Sequence, residues 1–154
     1  MADNVASLEE RQEIVDLLPQ TSPFRFIDEV LELSDSHIVA TYHFTGEEFF
    51  YRGHFPGDPV TPGVILIETM AQAALVALGI YILRRERPDT KLRTLFSECS
   101  IEFFTVVPVG ARVFVHGEKM YWRRNKLQSR VELRLEDGTV AAAGTVAGLG
   151  MEVT

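Results

Sequence analysis

Two ionisable side chains, His54 and Glu68, stand where they could move protons as a pair. His54 lies in a loop stiffened by Gly53, Pro56, Gly57, Pro59, Pro62 and Gly63. Glu68 follows about two turns into an apolar run, residues 64–83, whose strongly polar members are Glu68, Thr69 and Gln72, with Tyr81 amphipathic. Burial disfavours a carboxylate, so Glu68 is expected to have a raised pKa and to be protonated near neutrality. An imidazole, with an ordinary pKa of about 6.5, beside a neutral carboxylic acid is an acid/base pair.

The elements that must hold this pair follow from the pattern around it. Thr61 suits an N-cap and Pro62 a first helical position, where its missing N–H costs nothing. A helix that is apolar on nearly every side must be enclosed, by lipid or by protein. The run could span a bilayer by length, and Arg84, Arg85 and Arg87 imitate a basic flank. Glu68 and Gln72 oppose that reading, as do the surrounding strands, which need a helix to pack on; no membrane insertion is expected.

Before the helix, residues 8–18 read as a short amphipathic helix with Leu8, Ile14, Leu17 and Leu18 near one face, ended by Pro19 and Pro23. Residues 25–33 and 36–44 read as strands joined at Ser34-Asp35, with His37 and His43 as ordinary strand residues. After it come an extended stretch, 91–104, a turn at Pro108 and Gly110, and a strand over 111–121. Arg123-Arg124-Asn125 is a turn. Residues 130–136 alternate strictly, Asp137-Gly138 is a hairpin signal, and a small-residue strand follows over 139–149. The pattern predicts an α+β fold of about six strands. One antiparallel sheet curls around one long helix, and residues 1–154 form one domain. A sheet can cover only one side of such a helix, so the other is expected to meet a second subunit.

Composition narrows the function classes. Cys99 is the single cysteine, which excludes an internal disulfide and suits a reducing cytoplasm. The first thirteen residues lack an apolar signal segment, so a cytoplasmic location is expected. His37, His43, His54 and His116 are scattered, and no metal site is expected. Net charge is −7, and residues 1–50 carry eleven acids against Arg11 and Arg25, so nothing favours nucleic acid. Basic side chains collect at Arg84, Arg85, Arg87, Lys91 and Arg93, and again at Arg123, Arg124 and Lys126.

The string G-H-F-P-G-D-P-V-T-P-G-V at 53–64, followed by E-T-M-A-Q at 68–72, closely resembles the 3-hydroxyacyl-(acyl carrier protein) dehydratases of type II fatty acid synthesis. Leu17-Leu18-Pro19, Pro23-Phe24, Asp28 and Pro108-Val109-Gly110 also fit. That resemblance implies a hotdog fold, a homodimer or a dimer-based hexamer, and a substrate carried on acyl carrier protein or coenzyme A. It aligns His54 and Glu68 with the family's catalytic histidine and glutamate, contributed to each site by two subunits. It aligns Gly63 with the position whose backbone N–H faces the thioester oxygen. The dehydratase/isomerase branch carries Asp where this chain has Glu68, so the non-isomerising branch is the closer match.

The chemistry suits these residues. Dehydration removes a proton from C2 and makes the C3 hydroxyl a leaving group; His54 can be the base and Glu68 the acid, and no metal or organic cofactor is needed. A helix N-terminus supplies donors for charge developing on the thioester oxygen. Gln72 reads as a support and Asp58 as a turn residue, while Cys99 has no sequence partner to activate it. The chain departs from the family at Gln20-Thr21-Ser22, in place of a basic or histidine-bearing stretch, and at Phe103-Phe104-Thr105, in place of arginines. Phe103 and Phe104 are therefore candidates for lining the acyl tunnel. A basic patch after the helix, led by Arg84 and Arg85, is the candidate docking surface for an acidic carrier. The alternatives are a hotdog acyl thioesterase, which would use a carboxylate to activate water, and a non-catalytic acyl-binding subunit.

Overall fold

The computed structural model describes residues 5–153; the first four residues of the stretch read as lacking a signal segment lie outside it. Helix α1 (Leu8–Leu17) opens the described chain, followed by β1 (Glu29–Leu33) and β2 (His37–His43). A 3-10 turn (Phe49–Arg52) leads into the Pro/Gly loop, and the central helix α2 runs over Gly63–Glu86. The chain ends in β3 (Leu92–Phe103), which crosses to the far edge of the sheet, and a meander of β4 (Arg112–Arg123), β5 (Lys126–Leu135) and β6 (Val140–Glu152). All six strands form one antiparallel sheet in the order β1-β2-β4-β5-β6-β3.

Alternation puts the core on one face of this sheet. Val113 and Val115 of β4 and Leu127, Ser129, Val131 and Leu133 of β5 all turn inward and are buried. Against them lies α2, in which every residue from Ala71 to Leu78 is buried. By length and composition this helix could cross a membrane, but 67% of its most apolar window is buried inside the protein.

The midpoint of α2 widens into a π-helical stretch, Gln72–Ala77, whose residues are all buried. Ser129 Oγ donates to the Ala74 carbonyl at 2.8 Å, taking up an oxygen that the wider turn leaves available. Beside it, Gly117 of β4 lacks the side chain that would collide with the helix: a Cβ there would stand 2.7 Å from Ala74 Cβ and 3.0 Å from Ile38 Cγ2. Gly117→Ala should therefore force the helix off the sheet and cost about 1–3 kcal/mol. At about 2–4 °C of melting temperature per kcal/mol for a chain of this size, a thermal melt reads the result directly. An unchanged melting temperature would mean that the helix has slack here.

Several boundaries differ from the sequence pattern, each for a local reason. The helix starts at Gly63 with Pro62 as its N-cap, not at Pro62 capped by Thr61. The Thr61 hydroxyl is instead bonded to Tyr51 Oη at 2.7 Å. Residues 25–28 are not strand, because the Phe26 N–H is taken by the Gln72 side chain. In α1, Leu8 and Leu17 face outward and only Ile14 is buried; a capping box between Ser7 and Glu10 fixes the start of the helix. The β4–β5 hairpin turns on Arg124 and Asn125, both at positive φ (52° and 62°), the signature of a type I′ turn.

The expectation that α2 needs a second subunit to cover its outer side also changes. The segment from Ile14 to Ile27 lies over that side, with Ile14, Leu18, Phe26 and Ile27 in the same buried cluster as the helix. Among the described residues, the side that lacks a neighbour belongs to β3, which pairs with β6 alone and is exposed along most of its length.

Candidate active site

The loop carrying His54 is held at both ends. Tyr51, at its start, bonds Thr61, at its finish, and burial pushes the Tyr51 phenol up to about 12, so it stays a neutral donor or acceptor. Between these posts the Val60 N–H donates to the His54 carbonyl at 2.9 Å, and Phe55 and Asp58 exchange backbone bonds across a tight turn. Asp58 is thus a turn residue, as its sequence setting suggested. The His54–Phe55 peptide is cis, and the two rings stack with centroids 4.2 Å apart.

Ahead of the loop, Glu48 anchors the 3-10 turn. Burial alone would raise its pKa, but the backbone N–H groups of Thr45 and Gly46 and the Tyr42 hydroxyl outweigh it and hold the carboxyl below its ordinary value.

Within this frame the half-buried His54 ring has a defined tautomer. Nδ1 lies 2.9 Å from the Val60 carbonyl oxygen, which can only accept. Nδ1 therefore carries the hydrogen, and in the neutral ring Nε2 keeps a free lone pair. That nitrogen is the one left able to accept a proton.

Glu68 is fixed from the next turn of its own helix. The Gln72 Nε2–H donates to Glu68 Oε1 at 3.0 Å, which leaves Oε2 as the oxygen able to carry a proton. Gln72 is itself fully buried and tied to the chain that crosses over the helix: Nε2 also donates to the Phe24 carbonyl at 2.9 Å, and Oε1 accepts from the Phe26 N–H at 2.7 Å. The expected supporting residue is thus a clamp joining the crossing segment to the carboxylate. Gln72→Leu should strand the Phe24 carbonyl and the Phe26 N–H, costing about 1–3 kcal/mol for each buried group left without a partner. Thermal unfolding checks this, and a melt equal to that of the unaltered protein would rule out the clamp.

The start of α2 provides donors. Its first two N–H groups, of Gly63 and Val64, have no carbonyl one turn earlier to accept them, while those of Ile65 and Leu66 bond the Pro62 carbonyl at 3.0 and 3.2 Å. The Phe103 ring packs over this point, and a Cβ on Gly63 would come within 3.1 Å of it. Phe104 is anchored through its backbone to Ala141 at 2.8 Å, and its side chain is 58% exposed. Phe55, Val64 and Val106 are exposed as well. His54, Glu68 and Gly63 are absent from the walls of the five cavities of about 310 to 770 Å³ described on the chain.

The foreseen basic patch is partly neutralised, with Lys91 and Arg93 in no ion pair among the described residues. Arg84 pairs with Glu13 at 2.7 Å, Arg85 with Asp35 at 2.9 Å, and Arg87 bonds Asn125. It also begins some twenty residues along the helix from Gly63, about 30 Å away at 1.5 Å per residue. Among the described residues no group of three or more His, Cys, Asp or Glu side chains could hold a metal ion.

A curled antiparallel sheet around one central helix, with a braced loop at the helix start, defines a hotdog-fold protein. Solved structures agree: the dehydratase heterocomplex ApeI:P of Xenorhabdus doucetiae superposes with a TM-score of 0.75 at 19% identity, covering 89% of this chain and 90% of its own. A Haemophilus influenzae thioesterase does so with a TM-score of 0.66 at 14% identity, covering 96% and 92%. The sequence is more selective than the shape. The FabA-like domain model matches residues 18–143, and the chain belongs to this family. The chain is 39% identical over 132 residues to the 3-hydroxyacyl-(acyl-carrier-protein) dehydratase FabZ of Lactobacillus helveticus, covering 85% of this chain and 86% of that protein.

Proposed function

We propose that the chain dehydrates 3-hydroxyacyl thioesters to trans-2-enoyl thioesters in fatty acid synthesis, with acyl carrier protein as the carrier. The observation that carries the reading is the Nδ1–H bond from His54 to Val60, which leaves Nε2 unprotonated in the neutral ring. Nε2 takes the proton from C2. Negative charge then builds on the thioester oxygen, which the N–H groups of Gly63 and Val64 stabilise with the favourable end of the helix dipole. Glu68 Oε2 gives its proton to the departing C3 hydroxyl, and water leaves. Each step uses a side chain or backbone group of the protein, and the transferred protons balance.

A dimer completes the site in this reading. The free edge of β3 is a row of unpaired backbone groups, a ready template for a second copy. Its exposed Leu95 and Phe96, together with Phe103 and Phe104, would be covered by the same association. Phe103 and Phe104 then line the acyl path at the helix start, and a cytoplasmic enzyme of this kind acts on a soluble carrier.

The thioesterase alternative has a fold neighbour but no support from the close sequence relative, which is named a dehydratase. The experiment is an assay with 3-hydroxyacyl thioesters of graded length, on acyl carrier protein and on coenzyme A, following enoyl absorbance and free thiol together. Enoyl product without thiol is expected; thiol without enoyl product would overturn the proposal.

A further inference from the structure

The loop that carries His54 stands away from the body of the chain. Of residues 51–61, Tyr51 and Thr61 alone are buried; everything between them is exposed or half-buried. A Cβ at Gly53 or at Gly57 would meet nothing within 4 Å, so side-chain packing does not fix those points of the loop. What crosses its base is a buried hydroxyl pair, Tyr51 Oη and Thr61 Oγ1, 2.7 Å apart. Thr61 is also fastened to the β3–β4 connection, its N–H donating to the Val107 carbonyl at 3.3 Å.

This pair joins the two sides of the bond that defines the His54 tautomer. Tyr51 precedes His54 by three residues, and its carbonyl accepts the His54 N–H at 3.4 Å. Thr61 follows Val60 directly, so its anchor sets where the Val60 carbonyl stands against Nδ1. The backbone bond from the Val60 N–H to the His54 carbonyl lies at a half-buried level, where water competes for it; the hydroxyl tie below is shielded and correspondingly stronger. Thr61 also lies two residues before Gly63, the first residue of α2. One tie thus spaces the base from the backbone donors, whichever chain supplies Glu68.

We propose that Tyr51 and Thr61 are positioning residues: their hydroxyl tie keeps the Val60 carbonyl on His54 Nδ1, and so keeps the free lone pair on Nε2. Both act through His54. The kinetic consequence rests on the dehydration proposed above; the tautomer does not. Stripping one hydroxyl would leave its buried partner unsatisfied, and the loss of stability would blur the result. Removing both, as Tyr51→Phe with Thr61→Val, leaves no orphan and takes away the tie itself.

Nitrogen NMR of the imidazole rings in the full chain, well above their ordinary pKa of about 6.5, distinguishes the tautomers without any turnover. The His54→Ala spectrum identifies the His54 signals among the four histidines. The parent should show Nδ1 protonated and Nε2 bare. The double variant should carry hydrogen on Nε2 in a substantial fraction of molecules, and its kcat for dehydration should fall about 10–100-fold with KM retained. Tyr51→Phe alone should give the same spectral change, and serves if the double variant does not fold. Thr61→Ser, which keeps the hydroxyl, should keep the parental spectrum. A folded double variant with the parental His54 signals, or with the parental kcat, would overturn the inference while leaving the dehydration intact. A parent that does not dehydrate would sink the proposed function alone, because the spectra still decide the tautomer. A parent ring with its hydrogen on Nε2 would overturn both.

Discussion

His54→Ala and Glu68→Gln should each lose about 10²–10⁴-fold in kcat for dehydration, the usual worth of one positioned acid or base. Both substitutions spare the scaffold. The His54 ring is half-buried and hydrogen-bonds the Val60 carbonyl, so its removal leaves one acceptor without its donor at a partly open surface. A glutamine at position 68 keeps an oxygen for the Gln72 N–H and removes only the transferable proton. Melting curves near that of the parent are therefore expected beside the collapse in rate. A folded His54→Ala or Glu68→Gln protein with near-parental turnover would show that the proton transfers are assigned to the wrong groups. Equal loss of kcat with KM retained would place each group in the transition state rather than in substrate binding.

The residues of this pair stand out in the sequence because the chemistry and the punctuation coincide. Few patterns put a histidine among so many Pro and Gly residues immediately before an apolar helix with a single carboxylate. The alternation of residues 130–136 and the Asp137-Gly138 turn likewise gave the last hairpin, since period and turn residues agreed. What could not be read was set by contacts distant in the chain. Gln72 reaches 46 and 48 residues back to Phe26 and Phe24, and so ends a stretch that its β-prone residues would extend. Thr61, a good cap by type, is drawn away by Tyr51.

The basic patch illustrates the same limit in electrostatics. Arg84 and Arg85 read as free charge in the sequence, yet Glu13 and Asp35, from the acidic first third of the chain, fold back onto them. Ion pairs this exposed add little stability, but they reduce the local positive charge that an acidic carrier would seek at Arg84 and Arg85. Cover for the central helix followed a similar course. The sheet alone cannot enclose it, and the chain solves this with its own residues 14–27, leaving β3 as the place where a partner would add most.

That edge leads to the second large effect. If each site takes His54 from one chain and Glu68 from the other, a mixed dimer of His54→Ala and Glu68→Gln subunits contains one site with both groups intact and one with neither. Random exchange makes half of all dimers mixed, so an equimolar mixture of two inactive proteins should recover about a quarter of the parental activity. The physical ground is the free β3 edge with its exposed Leu95 and Phe96, the exposed Phe103 and Phe104 beside the Gly63 turn, and the absence of His54 and Glu68 from the walls of the chain's described cavities. Exchange would be verified by mass spectrometry of differently tagged subunits, after mild denaturation and refolding if it is slow. Verified exchange with activity still at the level of the separate mutants would mean that one chain builds the whole site. Recovery well below a quarter, in proportion to an incomplete yield of mixed dimers, would still require the two groups to come from different chains.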